Sequence, residues 1–278
     1  MPPTALHIGV HKTGTTHLQQ SFMAVRPALV ERGIQFYGPT LLRKGGRSLK
    51  ARLDNGRAET LLRGSDRLVI SEENFIGSLY VRDGQIPRVL YRHAEDRLKQ
   101  FAESLAPDGL DVFLCIRDPA SFLSSAYGQV LMGGMVKDAA EFVAENPMSR
   151  ADWVFLARRI AKTPGLRRLV VWRYEDYGTL FDRIAAEMLG AHGLVSPVAG
   201  KVHQGLSARA VAAMHDWADA GETGQLAILA RETYPISETS PAFAAYTDTT
   251  ASAALYLEQQ AKIARIPNVQ FLMPDAKA

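Results

Sequence analysis

Short, almost unbroken apolar runs, each followed by a polar loop and a helix-patterned segment, constrain this chain more than any other feature. The runs fall at 5–10, 34–37, 68–71, 111–116 and 169–172. A strand that is apolar at nearly every position has both faces covered, as in a parallel sheet with helices on either side. Helical spacing is read at 15–32, where Leu18, Phe22, Val25, Leu29 and Val30 share a face and Gly33 supplies the stop. Further helices are predicted at 48–63, at 86–106 with Pro87 in the first turn, at 119–132 behind Pro119, and at 150–162. Others follow Asp176 to about 189 and cover 207–220, 222–231 and 248–265, before a last apolar run at 269–272. The expected fold class is α/β: a three-layer sandwich around a central parallel sheet. With 278 residues, 47% of them hydrophobic, the chain can bury one large core. No internal repeat or low-complexity linker divides it, so a single domain over 1–278 is expected.

The net charge of +3 suits a small anionic ligand and is too weak to argue for nucleic acid. The one cysteine, Cys115, lies in an apolar run and reads as a buried thiol. The first residues lack the pattern of a signal peptide, and no window holds the roughly 18 apolar residues that a membrane span requires. The expected location is cytoplasmic.

The first run leads into Gly9-Val10-His11-Lys12-Thr13-Gly14-Thr15-Thr16 and then a helix. Gly9 and Gly14 have the spacing of a P-loop, in the strand–loop–helix setting that gives the motif meaning. Loop N–H groups and the helix dipole favour an anion there, and Thr13, Thr15 and Thr16 add hydroxyls. An ordinary P-loop NTPase continues Gly-Lys-Ser/Thr, its hydroxyl on Mg²⁺. Here Thr15 and Thr16 follow Gly14, and the lysine stands at position 12. A second loop, Arg117-Asp118-Pro119, follows the 111–116 run and enters a helix carrying Ser125 and Tyr127. Arg117 stands where open α/β sheets bind ligands, and its planar fork suits phosphate.

The stretch from Ile8 to Leu18 closely resembles the 5′-phosphosulfate loop of sulfotransferases that use PAPS (3′-phosphoadenosine 5′-phosphosulfate). The resemblance implies a P-loop-like phosphosulfate-binding loop. Lys12 would steady the leaving phosphate, and Thr13, Gly14, Thr15 and Thr16 would bind it. Arg117 with Ser125 eight residues on matches the family's 3′-phosphate site. Trp172-Arg173-Tyr174-Glu175-Asp176 resembles the family's Tyr-Glu-Asp segment, whose tyrosine approaches the adenine; packing of Tyr174 at the strand end is the other reading. The implied donor is PAPS, the product 3′,5′-ADP, and no metal is expected. The acceptor would be a small molecule or glycan, not nucleic acid.

Transfer to an alcohol or amine needs a base for the acceptor proton. Ser71-Glu72-Glu73-Asn74 resembles the acidic turn of bacterial members. Aligning on Glu-Asn selects Glu73, the preferred candidate; aligning on Ser-Glu selects Glu72. His11, inside the loop, and the more remote His203 are the other candidates. The segment from Lys201 to Arg209 reads as a basic flap or as a solvated loop with Ser207 as N-cap. Arg43, Lys44, Arg47, Lys50 and Arg52 suit an anionic acceptor or a solvated basic face. The competing readings of function are a P-loop nucleotide kinase or NTPase and a nucleotide-binding protein without turnover.

Overall fold

A computed structural model describes residues 3–44, 48–79, 83–200 and 205–275. It contains β1 (Thr4–His7), α1 (Thr15–Ala24), α2 (Arg26–Glu31), β2 (Ile34–Tyr37), α3 (Pro39–Leu42), α4 (Leu49–Asp54) and β3 (Arg67–Ser71). There follow α5 (Ala94–Leu105), β4 (Leu110–Ile116), α6 (Pro119–Met132), α7 (Ala139–Glu145), α8 (Trp153–Ala161) and β5 (Leu166–Arg173). The chain continues through α9 (Tyr177–Leu189), α10 (Ala208–Asp219), α11 (Leu226–Thr233), α12 (Thr249–Ile263) and β6 (Val269–Phe271). The six strands form one sheet in the order β2-β3-β1-β4-β5-β6, with every pairing parallel.

Strand residues divide between the two faces with the period of two that a pleat imposes. Ala5, Phe113, Cys115, Val170 and Trp172 pack with Leu18 and Phe22 of α1 and the apolar stripe of α9. Leu6, Val112, Leu114, Ile116, Leu169 and Val171 pack with α5, α6, α8 and the later helices. The result is the three-layer α/β sandwich with a central parallel sheet that the apolar runs predict. Among the described residues, no helix is long and apolar enough to cross a membrane.

Several boundaries differ from the sequence reading. The strand expected at 5–10 ends at His7, because Gly9 at φ +44° turns the chain. Ile8 and Val10 nonetheless keep donating to Phe113 and Cys115 of β4 (3.1 and 3.3 Å). The helix expected at 15–32 breaks at Val25, since Pro27 has no N–H to give and its ring would strike the carbonyl four residues back. The helix expected at 86–106 begins only at Ala94. Arg159 takes the carbonyls of Leu90, Tyr91 and Arg92 (3.1, 3.1 and 2.7 Å) that a helix there would need for itself, and Tyr91 sits at φ +53°. Helix α7 was not anticipated; Asp138 caps it, accepting from Ala140 and Glu141 (2.8 and 3.0 Å). The helix expected at 222–231 starts at Leu226, after Gly224 at φ +106°.

Candidate functional site

The chain leaves β1, builds β2 and β3 on one side, and then crosses to β4, β5 and β6 on the other. Strand order therefore reverses at β1, and the crevice beyond its carboxyl end is where open α/β sheets hold ligands. The 8–14 loop occupies that position.

Three residues of the loop have left-handed backbones: Gly9 (φ +44°), Lys12 (φ +68°) and Gly14 (φ +77°). Gly14 caps α1 without a side-chain partner, and a Cβ there would lie 3.3 Å from the Tyr174 ring. A Cβ at Gly9 would lie 2.7 Å from Thr15 Oγ1. Among the described residues, the backbone N–H groups of Thr13, Gly14, Thr15 and Thr16 donate to no protein acceptor. The Thr15 hydroxyl is buried and has no partner either. A turn of unclaimed donors at a helix N-terminus is the geometry that binds an oxyanion. Thr13 differs from expectation, since its hydroxyl donates to the Val10 carbonyl at 2.5 Å and shapes the loop from within. Thr16 is half-buried and makes no side-chain hydrogen bond.

Arg117, at the carboxyl end of β4, reaches this loop directly. Its Nη1 donates to the Lys12 carbonyl (2.8 Å), its Nε to Ser121 Oγ (2.8 Å), and its guanidinium lies 4.7 Å from the centre of the Tyr174 ring. The grip on its carbonyl offsets the strain of the non-glycine Lys12 at positive φ, a conformation that costs about 1–3 kcal/mol. Burial lowers the pKa of both Lys12 and Arg117, and the positive charge of Arg117 lowers that of Lys12 further. Among the described residues neither cation forms an ion pair with a carboxylate. Two partly desolvated cations thus meet beside one loop without a directly ion-paired carboxylate, an arrangement that can accommodate an anion.

Arg117 bonds Ser121 directly; Ser125 lies one turn further along the same helix face, half-buried and, among the described residues, without a side-chain hydrogen bond. Tyr174 is held between Arg117 and Gly14, so its ring packs the two loops against each other. Tyr127 is a core residue whose hydroxyl donates to the Lys137 carbonyl (2.7 Å).

The acidic turn lies beside the loop, at the end of β3. Glu72 is buried and engaged by Arg43, with Nε on Oε2 at 3.1 Å and Nη2 on Oε1 at 2.5 Å. Burial raises its carboxyl pKa against the opposing pull of Arg43. Glu73 is half-buried; its Oε2 accepts from Gln19 Nε2 (2.9 Å), and its Oε1 has no protein partner among the described residues. Gln19, one turn after Thr15 on α1, also donates to Ser71 Oγ (3.1 Å). Ser71 Oγ also shares a hydrogen bond with His7 Nδ1 at 2.8 Å. A polar chain thus runs from Glu73 through Gln19 and Ser71 to His7 beneath the loop.

His11 has no free ring nitrogen. Nε2 donates to Asn74 Oδ1 (2.7 Å), and Nδ1 accepts from the Tyr91 hydroxyl (2.9 Å), which in turn accepts from the His11 backbone N–H (3.2 Å). Burial lowers its pKa, so the ring is neutral and fastens the loop to the 74–91 segment. That arrangement counts against the expectation of His11 as base. His203 and the Lys201–Gln204 part of the basic flap lie outside the described residues, as does Arg47. Ser207 caps α10, accepting from Ala210 at 3.0 Å. In the basic segment, Arg43 pairs with Glu72, Lys50 with Asp54, and Arg52 donates to the Leu42 carbonyl, so most of its charge serves local structure.

Several supporting residues escaped the sequence reading. Asp118 Oδ1 caps α6 through Ser121 N (2.9 Å), and Oδ2 accepts from Ser252 of α12 (2.7 Å). Glu175 accepts from Asp118 N (3.0 Å) and from Tyr256 of α12 (3.0 Å), while Trp153 Nε1 holds the Arg117 carbonyl (2.8 Å). The Asp118-to-Ser121 spacing is a capping signal that could have pointed to Ser121. The bonds to Ser252 and Tyr256 span 134 and 81 residues and leave no local trace.

No protein-family model matches the chain, and no curated protein matches it. Among solved structures, a sulfotransferase from Alicyclobacillus acidocaldarius is similar over 83% of this chain and 96% of that one, at 13% identity and a TM-score of 0.44.

Proposed function

We propose that this protein moves a sulfuryl group from PAPS to an acceptor hydroxyl or amine. The observation that carries the reading is the pair of partly buried cations, Lys12 and Arg117, joined at one loop without a carboxylate partner among the described residues. The free loop amides and the unpartnered Thr15 hydroxyl fit a 5′-phosphosulfate. Arg117 retains unused donors for a second phosphate, with Ser125 one turn beyond Ser121 to meet it.

When bound, PAPS supplies a sulfuryl group whose leaving atom is the bridging oxygen of the 5′-phosphate. Lys12 and the loop amides take up the electron pair that remains on that oxygen when the sulfur–oxygen bond breaks. Glu73 Oε1 accepts the proton released as the acceptor oxygen or nitrogen bonds to sulfur, while Gln19 fixes Oε2. Glu72, tied to Arg43, orients the turn.

Calorimetry with 3′,5′-ADP and with ADP tests the reading. Selective binding of 3′,5′-ADP, lost in Arg117→Ala, is the expected result. Equal binding of both nucleotides would favour a kinase or NTPase and overturn it. Transfer from labelled PAPS should then fall in Glu73→Gln far more than in a control at an exposed glutamate. Binding without transfer to any acceptor would make this a nucleotide-binding protein only.

A further inference from the structure

A second charged cleft lies at the opposite end of the sheet. It has a volume of about 490 Å³ and is lined by Arg67 at the start of β3, Asp111 near the start of β4, Arg167 and Arg168 near the start of β5, and Arg183 and Glu187 on α9. Asp111 and Arg117 stand at opposite ends of one strand, about 20 Å apart at the rise of a β-strand. The cleft is therefore separate from the loop site.

Four guanidinium groups face two carboxylates here. The C-terminus of α9 adds about half a negative charge, so more than one positive charge remains uncompensated. The carboxylates are engaged except at Asp111 Oδ1, which is buried and has no hydrogen-bond partner among the described residues. Asp111 Oδ2 accepts from both Arg167 and Arg168, and Glu187 accepts from Arg168 (2.6 Å) and Gln270 (3.2 Å). Among the described residues buried Arg67 forms no ion pair, and its fork closes on the carbonyls of Met188, Pro3 and Glu187 (2.8, 3.0 and 3.3 Å). Among the described residues Arg167 bonds through Nη2 alone, and Arg183 reaches only the Met273 carbonyl (3.3 Å). Donors and positive charge are in excess, and what balances both is an acceptor-only dianion.

We propose that this cleft binds a tetrahedral oxyanion, phosphate or sulfate, free or as the end group of a larger molecule, with Arg167 and Arg183 as its arms. The test uses the full chain carrying Lys12→Ala to silence the loop site, titrated calorimetrically with inorganic phosphate, sulfate and glycerol phosphate in chloride-free buffer. The expected result is one bound anion per chain. Its affinity falls about tenfold or more in Arg167→Ala/Arg183→Ala, as loss of hydrogen bonds to a charged partner implies. Both arginines project from the surface, and Arg167→Lys/Arg183→Lys should restore part of the affinity. Preference for glycerol phosphate over free phosphate would identify an end group as the ligand; equal binding would identify the free ion. No heat with any of the three anions, or heat that survives removal of both arginines, would overturn the proposal.

Discussion

His7 offers a direct measurement of how dry the sheet is beneath the loop. It is 1% exposed, stacked on Trp172 with ring centres 5.7 Å apart, and bonded through Nδ1 to Ser71. Desolvation pushes its pKa from the ordinary 6.5 down to about 3. The folded state thus refuses a proton that the unfolded state accepts. The stability is fully present above pH 6.5 and is lost as the pH falls towards 3. One pKa unit corresponds to about 1.4 kcal/mol, so the whole window is on the order of 5 kcal/mol. Between pH 7 and pH 5 the share is about 2 kcal/mol, since the unfolded imidazole is by then almost fully charged. Urea unfolding at the two pH values, in wild type and in His7→Asn, checks this. Asparagine keeps a hydrogen-bonding amide towards Ser71 and cannot titrate. It should be less stable at pH 7 because the stack on Trp172 is lost, yet its pH dependence should be flatter by about 2 kcal/mol. If both proteins lose the same stability between pH 7 and pH 5, His7 is not buried as a neutral ring and the reasoning fails.

Gly9→Ala would force a Cβ to within 2.7 Å of Thr15 Oγ1 at φ +44°, and should cost about 1–3 kcal/mol by thermal unfolding while weakening 3′,5′-ADP binding. Gln19→Leu should lower kcat for sulfuryl transfer with little change in nucleotide affinity, because Gln19 touches Glu73 Oε2 and not the phosphate loop; an equal loss in both quantities would show that it serves only to hold α1. Arg159→Leu should destabilise by about 1–3 kcal/mol, since it leaves the carbonyls of Leu90 and Arg92 without that donor and takes one of two from Tyr91. In that variant the tether from Tyr91 to His11 should slacken, visible as faster hydrogen exchange at the loop amides.

The layers of the fold were legible because both faces of the sheet are covered, so the strands read as apolar throughout. The loop at Lys12 and the loop at Arg117 were legible for a related reason. Each follows such a strand and opens a helix, so its chemistry is local in sequence. What sequence hid was contact between distant segments. Arg117 and Ser125 stand eight residues apart and could be read as one phosphate site, but the bonds from Arg117 to Ser121 and to the Lys12 carbonyl, 105 residues away, could not. The stretch before α5 has helical composition and a well-placed proline, but a buried arginine on α8 claims its carbonyls. His11 looked like a candidate base from its position in the loop. Its two partners, Asn74 and Tyr91, lie 63 and 80 residues on, and only the fold brings them to its ring.

The bonds from α12 to the Arg117 loop set an order on how the protein is made. Ser252 and Tyr256 lie 134 and 81 residues beyond the groups they hold, Asp118 and Glu175. During synthesis the five strands through Arg173 leave the ribosome first, with the Lys12 loop already complete in sequence. The brace that seats Arg117 arrives only after Tyr256 has been added. A nascent chain halted before α12 would therefore hold a nearly whole sheet with an unsupported second arm. The proposed nucleotide binding should then be among the last properties the growing chain acquires, well after its core has begun to form.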